Sequence, residues 1–149
     1  MYVVDASVWV NSFDQKEVGH EISRGFLTLL AEQQISVAVP TLVLAEVAAA
    51  ISRSRQKPAE ANAFAEAISR LPNLAFKSLD MVLAKQSFRM AAQHGLRGAD
   101  AVYAAVALEA GYILVSLDKE HLTRLQDVVA VKKPADVLAP PASTLEPEK

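Results

Sequence analysis

Four carboxylates have positions in the sequence that suggest chemistry: Asp5, Glu46, Asp100 and Asp118. Asp5 directly follows the apolar residues 2–4, and Asp118 follows a similar apolar run. Both runs fit short strands that are buried on both faces. Asp100 falls in the first turn of a predicted helix. Three of the four also have a purely structural interpretation, because Asp is a preferred N-cap and a helix dipole favours an anion in the first turn.

Glu46 lacks that interpretation. It lies well inside a predicted helix over residues 42–54, where its neighbours are aliphatic almost all round, and such a helix is expected to be buried. An ionised carboxylate there is costly unless it is paired or binds a metal. No Lys or Arg stands three or four residues away to pair with it. The structural alternative is that Glu46 protrudes through a gap in the packing.

Taken together, the four acids occupy places from which side chains can converge above a parallel sheet. In open α/β sheets ligands meet the loops at the carboxyl ends of the strands. Clustered carboxylates repel one another, and a hard divalent cation such as Mg²⁺ or Mn²⁺ removes that penalty. Such an ion activates water and stabilises the leaving oxygen of a phosphodiester. This chemistry needs neither His nor Cys.

The elements that would position these acids alternate between strands and helices, which indicates an α/β fold with a mostly parallel sheet. Strand order cannot be read from the pattern, and no internal repeat or long linker divides the chain. A single domain over residues 1–138 is expected, with a disordered Pro-, Ser- and Glu-containing tail over 139–149. The predicted strands are 2–4, 35–39, 74–76, 112–116 and 128–131, and the predicted helices are 6–13, 20–33, 42–54, 58–70, 81–94 and 98–110, with a short turn at 119–125.

Composition narrows the class of protein. The chain has 149 residues, a formal net charge of −2 and no Cys, which excludes disulfides and thiolate metal sites. No apolar run is long enough to span a bilayer, and no secretory leader is evident. We therefore expect a cytoplasmic globular protein with no membrane partner. The small negative net charge argues mildly against nucleic-acid binding but is compatible with a local basic patch.

The context of the four acids resembles the four acidic motifs of the PIN-domain nucleases. The resemblance extends over about residues 1–137, and the chain is similar in length and start to the VapC-type toxins of type II toxin–antitoxin systems. The segments that match are Val4-Asp5-Ala6-Ser7, Leu44-Ala45-Glu46-Val47, Arg97-Gly98-Ala99-Asp100-Ala101 and Val115-Ser116-Leu117-Asp118.

The resemblance implies a three-layer α/β/α sandwich around a five-stranded, mostly parallel sheet. It implies Mg²⁺-dependent cleavage of RNA, with Mn²⁺ as a substitute. Asp5 and Asp100 would be the nearest metal ligands, and Glu46 and Asp118 would complete the site directly or through water. It also implies a homodimer and inhibition by a small antitoxin protein. In the matched segments, Ser7 and Ser116 are hydroxyl positions that could hold waters bound to the metal.

Other polar residues are weaker candidates. Arg97, three residues before Asp100, could contact a phosphate or an antitoxin carboxylate. The basic segment 53–57 is better explained as a solvated helix end with cations favoured by the dipole. The three histidines are scattered without metal-ligand spacing, and none is a candidate base. Trp9 and Tyr103 are better explained by core or dimer-interface packing than by stacking on bases.

Three other functions remain open. A phosphatase with Asp5 as nucleophile would require a second acid at position 7, where this chain has Ser7. A response-regulator-like module would require an acidic neighbour of Asp5, which is missing, and a Lys after the last strand, for which Lys132 and Lys133 are a generic match. A PIN-fold protein that only binds partner proteins is the third alternative, and the intact set of acids argues against it.

Overall fold

The computed structural model describes residues 1–139, and these form a five-stranded parallel sheet with helices on both faces. The α/β class and the parallel sheet predicted from the sequence are therefore confirmed. The domain boundary predicted after residue 138 stays a prediction. Apart from Ala139, the tail expected over 139–149 lies outside the described residues.

Strands and helices alternate along the chain, and most bounds agree with the sequence pattern to within two residues. In order they are β1 (Tyr2–Val4), α1 (Ala6–Phe13), α2 (His20–Glu32), β2 (Val37–Pro40), α3 (Leu42–Arg55), α4 (Pro58–Ser69), β3 (Leu74–Lys77), α5 (Met81–His94), α6 (Gly98–Ala110), β4 (Ile113–Val115), α7 (Lys119–Arg124), β5 (Val131–Lys132) and α8 (Pro134–Leu138).

The strand order is β3-β2-β1-β4-β5, with every pair parallel. The first strand is thus central, flanked by β2 on one side and by β4 on the other. Tyr2 lies opposite Val37 in β2 and opposite Ile113 in β4. The connections change direction at β1, and such a switch point opens a crevice at the carboxyl ends of the adjacent strands. The side chains that follow β1 and β4 therefore meet at that crevice.

The helices cover the sheet in two layers, which makes the expected three-layer sandwich. Right-handed crossovers place α1 to α4 on one face and α5 to α7 on the other. The helix contacts agree, because α1 packs on α2 and α3, α3 packs on α4, and α5 packs on α6. The central helix of the second layer is α6, which contacts β1, β2 and β4. This contact brings the start of α6 to the crevice.

The core lies between the sheet and these helices. Val3, Val4 and Leu114 of the central strands are fully buried. All residues from 101 to 107 of α6 are buried as well, as expected for a helix that is rich in Ala and covered on its outer side by α5. Among residues 1–139 no helix has the length and apolar character needed to cross a membrane.

Two local predictions were wrong, and one short helix was missed. The last strand begins at Val131 rather than at residue 128, because the amides of Val128 and Val129 bond to the Leu125 carbonyl in a turn. A short helix, α8, follows that strand and was not predicted. The helix α3 is only half-buried: Val43, Val47 and Ile51 face the core, while its other face reaches solvent. Four of the aliphatic residues of α3 are Ala, which tolerates exposure.

The interior position of β4, between β1 and β5, leads to a prediction about stability. Replacing the fully buried Leu114 by Ala should lower the free energy of unfolding by about 2–5 kcal/mol, from lost burial and a residual cavity. Denaturant unfolding followed by circular dichroism measures this change. The control is Leu108→Ala, at a half-exposed position of α6, which should change stability by less than about 0.5 kcal/mol. Equal effects of the two substitutions would contradict the proposed core.

Candidate functional site

Asp5 lies at the carboxyl end of β1, where its side chain both caps α1 and faces the crevice. It is only 6% exposed. Its Oδ2 atom accepts hydrogen bonds from the Ser7 hydroxyl at 2.5 Å, the Ser7 amide at 3.2 Å and the Ser116 hydroxyl at 3.3 Å. Within residues 1–139 these bonds all fall on Oδ2. The capping interpretation is therefore correct, and it still leaves Oδ1 for another partner.

Ser7 and Ser116 connect the ends of the two central strands through their hydroxyl groups. The Ser7 hydroxyl donates to Asp5 and accepts from the Leu117 amide at 3.1 Å. The Ser116 hydroxyl, fully buried, accepts from the Asp118 amide at 3.0 Å. These contacts fix the position of the Asp5 carboxylate. The role predicted for the two serines, holding waters of a metal, stays a prediction.

Asp100 reaches the same crevice from the first turn of α6 and is 9% exposed. Its Oδ1 atom lies 3.3 Å from Nε2 of His121, and its Oδ2 atom is buried without a hydrogen-bond partner among the described residues. The N-cap position of α6 is Arg97, which makes no side-chain capping bond. The Asp100 carboxylate thus makes no capping bond and points into the crevice with an unsatisfied oxygen.

His121 is the residue at this site that sequence reasoning missed. It lies on α7, has no exposed surface, and places Nδ1 3.1 Å from the Ser116 hydroxyl. Suitable ligand atoms of Asp5, Asp100 and His121 all lie within 4.8 Å of one another. A signal was available in the sequence, because His121 stands one helical turn after Asp118 and α7 begins directly after that acid.

The pKa of His121 depends on its burial and on the acids around it. Burial alone would lower the pKa of His121, but the contact with Asp100 and the charge of Asp5 outweigh burial and raise the pKa overall. Nε2 has no hydrogen-bond partner within residues 1–139, because its approach to Asp100 is close but poorly aligned. The imidazole is therefore surrounded by negative charge.

Glu46 faces the same crevice from the half-buried α3, and its partner is the phenol of Tyr103. The Tyr103 hydroxyl donates to Oε1 of Glu46 at 2.7 Å. Burial raises the pKa of Glu46, while the hydrogen bond from Tyr103 opposes this in part. The charges of Asp5 and Asp100 raise it further, so the three acids share one electrostatic environment. Tyr103 is fully buried, which confirms its interpretation as a core residue.

Asp118 follows β4 and acts as the N-cap of α7. Its Oδ1 atom accepts from the Glu120 amide at 2.7 Å. Its carboxylate lies outside the tight group formed by Asp5, Asp100 and His121, as does that of Glu46. The structure thus brings two of the four predicted acids into direct proximity, and the other two flank them.

The basic residues near the site are mostly exposed. Arg97 has 73% of its side chain exposed and lies 3.8 Å from Glu120, a contact of small energetic value. Arg53 lines a groove together with Ser7 and Glu46, beside the acidic cluster. Arg55 instead pairs with Asp14, so it is not the solvated helix end that the sequence suggested.

Comparison with known proteins identifies a family that the sequence matches. The family model described as the PIN domain matches residues 2–128. No curated protein sequence matches the chain.

Solved structures with the same fold include three that cover most of this chain. The toxin VapC20 of Mycobacterium tuberculosis is 20% identical, with a TM-score of 0.68 over 80% of this chain and 91% of that one. FitAcB of Neisseria gonorrhoeae is 21% identical, with a TM-score of 0.64 over 91% and 99%. DNA-bound VapBC of Salmonella typhimurium is 15% identical, with a TM-score of 0.66 over 89% and 97%. At these identities the likeness is one of fold.

The bond between Tyr103 and Glu46 can be tested by removing one hydroxyl. Tyr103→Phe should lower the free energy of unfolding by about 1–2 kcal/mol, because it leaves a partly buried carboxylate without its donor. Chemical denaturation measures the change. Tyr112→Phe is the matched control, since no hydrogen bond of its hydroxyl occurs within residues 1–139, and it should have little effect. Equal stability of the two variants would contradict a stabilising role for the bond.

Proposed function

Because this chain belongs to the PIN domain family, we propose that it is a metal-dependent endoribonuclease that acts in the cytoplasm as the toxin of a toxin–antitoxin pair. One observation supports the proposal most directly. Two buried carboxylates, Asp5 and Asp100, face each other with a buried imidazole at the switch point of the sheet. An enclosed negative site of this kind suits a divalent cation and a phosphodiester substrate.

The residues present fit such a cation. Asp100 Oδ2 and His121 Nε2 are buried atoms without hydrogen-bond partners among the described residues, and buried polar atoms normally have partners. Asp5 and Asp100 would hold the ion, and Glu46 and Asp118 would complete the site directly or through water. The proposed ion is Mg²⁺, with Mn²⁺ as a substitute, because both prefer oxygen ligands.

The ion, when bound, would activate water and stabilise the leaving oxygen of the phosphodiester. The residues of the chain orient the site for this chemistry. Ser7 and Ser116 hold the Asp5 carboxylate in place through their hydroxyls. Tyr103 holds the Glu46 carboxylate from the interior of the fold. The donors that position these acids are therefore supplied by α1, by α6 and by the residue that follows β4.

The RNA substrate would meet the site along its exposed rim. Arg97 forms a weak, exposed ion pair, so its guanidinium is available for a phosphate. Arg53 lies at the groove that Ser7 and Glu46 also line, and it offers a second cation along that path. Such phosphate contacts would supply affinity locally, although the whole chain carries a net charge of −2.

The toxin role and the antitoxin partner have support from the structural relatives. VapC20 is described as a toxin that cleaves the sarcin–ricin loop, and the Salmonella typhimurium VapBC structure contains DNA. A Klebsiella pneumoniae relative, 13% identical with a TM-score of 0.63, is described as a toxin–antitoxin complex. We extend the toxin role and an antitoxin partner to this chain by analogy of fold.

Removal of the Asp5 carboxylate should abolish cleavage. Asp5→Asn retains a good N-cap and an acceptor for Ser7, so the fold should persist while the negative charge is lost. RNA cleavage in Mg²⁺ or Mn²⁺ should fall by more than about 100-fold. Loss of a residue that only hydrogen-bonds to a metal ligand typically costs about 10–100-fold, and loss of the ligand itself should cost more. Gel analysis of a labelled RNA measures this. Asp127→Asn, at an exposed position, is the control and should retain activity.

Two outcomes would contradict the proposed function. Cleavage that continues unchanged in excess EDTA would exclude a role for the metal. Absence of Mn²⁺ binding in calorimetry would favour the alternative of a PIN-fold protein that only binds partners.

The proposed homodimer has a candidate surface on α5. Met81, Val82 and Phe88 are 69%, 64% and 59% exposed, an unusual apolar group for a free surface. Phe88→Glu should place a charge in the interface and shift the protein from dimer to monomer in sedimentation equilibrium. Thr28→Glu, an exposed position on α2, adds the same charge as a control. A wild-type monomer, or a dimer that tolerates Phe88→Glu, would contradict this surface.

A further inference from the structure

A fully buried histidine faces two carboxylates in a site that carboxylates alone were expected to form. We propose that Nε2 of His121 binds the metal directly, together with Asp5 and Asp100, and that this mixed nitrogen and oxygen site prefers Mn²⁺ to Mg²⁺. This inference rests on the proposed function, because both require a metal ion at the same site. It adds a ligand and a selectivity that the acidic motifs do not contain.

Hydrogen bonding around Ser116 determines which imidazole nitrogen is free. The Ser116 hydroxyl accepts from the Asp118 amide at 3.0 Å, lies 3.3 Å from Asp5 Oδ2, and lies 3.1 Å from His121 Nδ1. A hydroxyl donates only one hydrogen. All three contacts become hydrogen bonds if Nδ1–H donates to the hydroxyl and the hydroxyl donates to Asp5.

In the neutral form that a metal ion requires, this arrangement leaves a lone pair on Nε2 of His121, which is the atom directed at the carboxylates. A histidine that ligates a metal typically donates its other ring N–H to a protein acceptor, which fixes the tautomer and orients the ring. Ser116 supplies that acceptor here, and its own hydrogen simultaneously orients Asp5. One hydroxyl therefore aligns two ligands of the proposed ion.

The unsatisfied atoms point to the same conclusion. Nε2 of His121 and Oδ2 of Asp100 are both buried, and neither has a hydrogen-bond partner within residues 1–139. Although Nε2 lies 3.3 Å from Asp100 Oδ1, that approach is not aligned as a hydrogen bond. A lone pair beside two carboxylates is unfavourable in itself. A cation between them would satisfy all of these atoms together.

The spacing suits one ion. The candidate ligand atoms of the three residues lie within 4.8 Å of one another. Two atoms bound to the same transition metal at roughly 2.0–2.2 Å lie no more than roughly 4.4 Å apart. Small side-chain adjustments therefore suffice to close the site.

The nitrogen ligand sets the expected selectivity. Carboxylate and water ligands suit both Mg²⁺ and Mn²⁺, but an imidazole ligand suits a transition metal such as Mn²⁺ better than it suits Mg²⁺. A buried imidazole at this position should therefore raise the affinity for Mn²⁺ more than that for Mg²⁺. His20, the first residue of α2, is also buried, but its Nδ1 lies 3.0 Å from the Asn11 carbonyl and it does not belong to the acidic group.

The test uses metal binding rather than activity. Full-length protein is stripped of metal, loaded with Mn²⁺ and examined by electron spin echo spectroscopy, in which a directly bound imidazole gives a ¹⁴N modulation. Wild type and the control His94→Gln, outside the cluster, should both show it. His121→Asn, whose amide can still donate to Ser116 in place of Nδ1, should lack it. By calorimetry this variant should lose at least about 10-fold in Mn²⁺ affinity, with a much smaller loss for Mg²⁺.

Each contrary result has a distinct meaning. Bound Mn²⁺ without nitrogen modulation in wild type would overturn the ligand role of His121 while leaving the proposed nuclease intact, and this measurement needs no variant that must fold. Modulation that persists in His121→Asn, or equal losses for Mn²⁺ and Mg²⁺, would also overturn it. Failure of wild type to bind Mn²⁺ at all would overturn the ligand role and the proposed function together.

Discussion

Electrostatic repulsion between buried carboxylates is the constraint on which this structure depends. Asp5 and Asp100 come from segments far apart in the chain, and the fold nevertheless buries both at one crevice. The fold offsets part of the cost through hydroxyl donors, with Ser7 and Ser116 bonded to the Asp5 carboxylate. The hydroxyls do not satisfy Asp100, whose buried Oδ2 lacks a partner among the described residues. The remaining cost is one that a cation would remove.

Capping and ligand binding are often treated as competing explanations for an acid at a helix start, and here they are compatible. Asp5 uses one carboxylate oxygen to cap α1, and the bond fixes the direction of the other oxygen. Asp118 caps α7 in the same way and thereby positions the turn that carries His121. Asp100 sits in a first turn without making a capping bond, so that its charge is favoured by the helix dipole while its oxygens face the crevice. Helix starts thus place three of the four acids.

Local sequence pattern was sufficient for most strands and helices, although not for β5 and α8, and it placed Asp5 at the carboxyl end of a strand and Asp100 in the first turn of a helix. It was insufficient where long-range packing decides. The partner of Glu46 is Tyr103, 57 positions away in the sequence, and no helix spacing could reveal it. His121 looked like an isolated histidine because its neighbours at the site come from β1, β4 and α6. The exposure of one face of α3 was also hidden, since Ala favours a helix at buried and exposed positions alike.

The pairing of β1 with β4 has a consequence for how the protein is made. Tyr2–Val4 emerges from the ribosome before Ile113–Val115, which is one of its two neighbouring strands. Ser116 and His121, which complete the surroundings of Asp5, are translated later still. A nascent chain that ends before His121 therefore lacks part of the crevice, whatever helices it has already formed. The site is therefore complete only after His121 has been translated, when strands from both sides of β1 are available to enclose it.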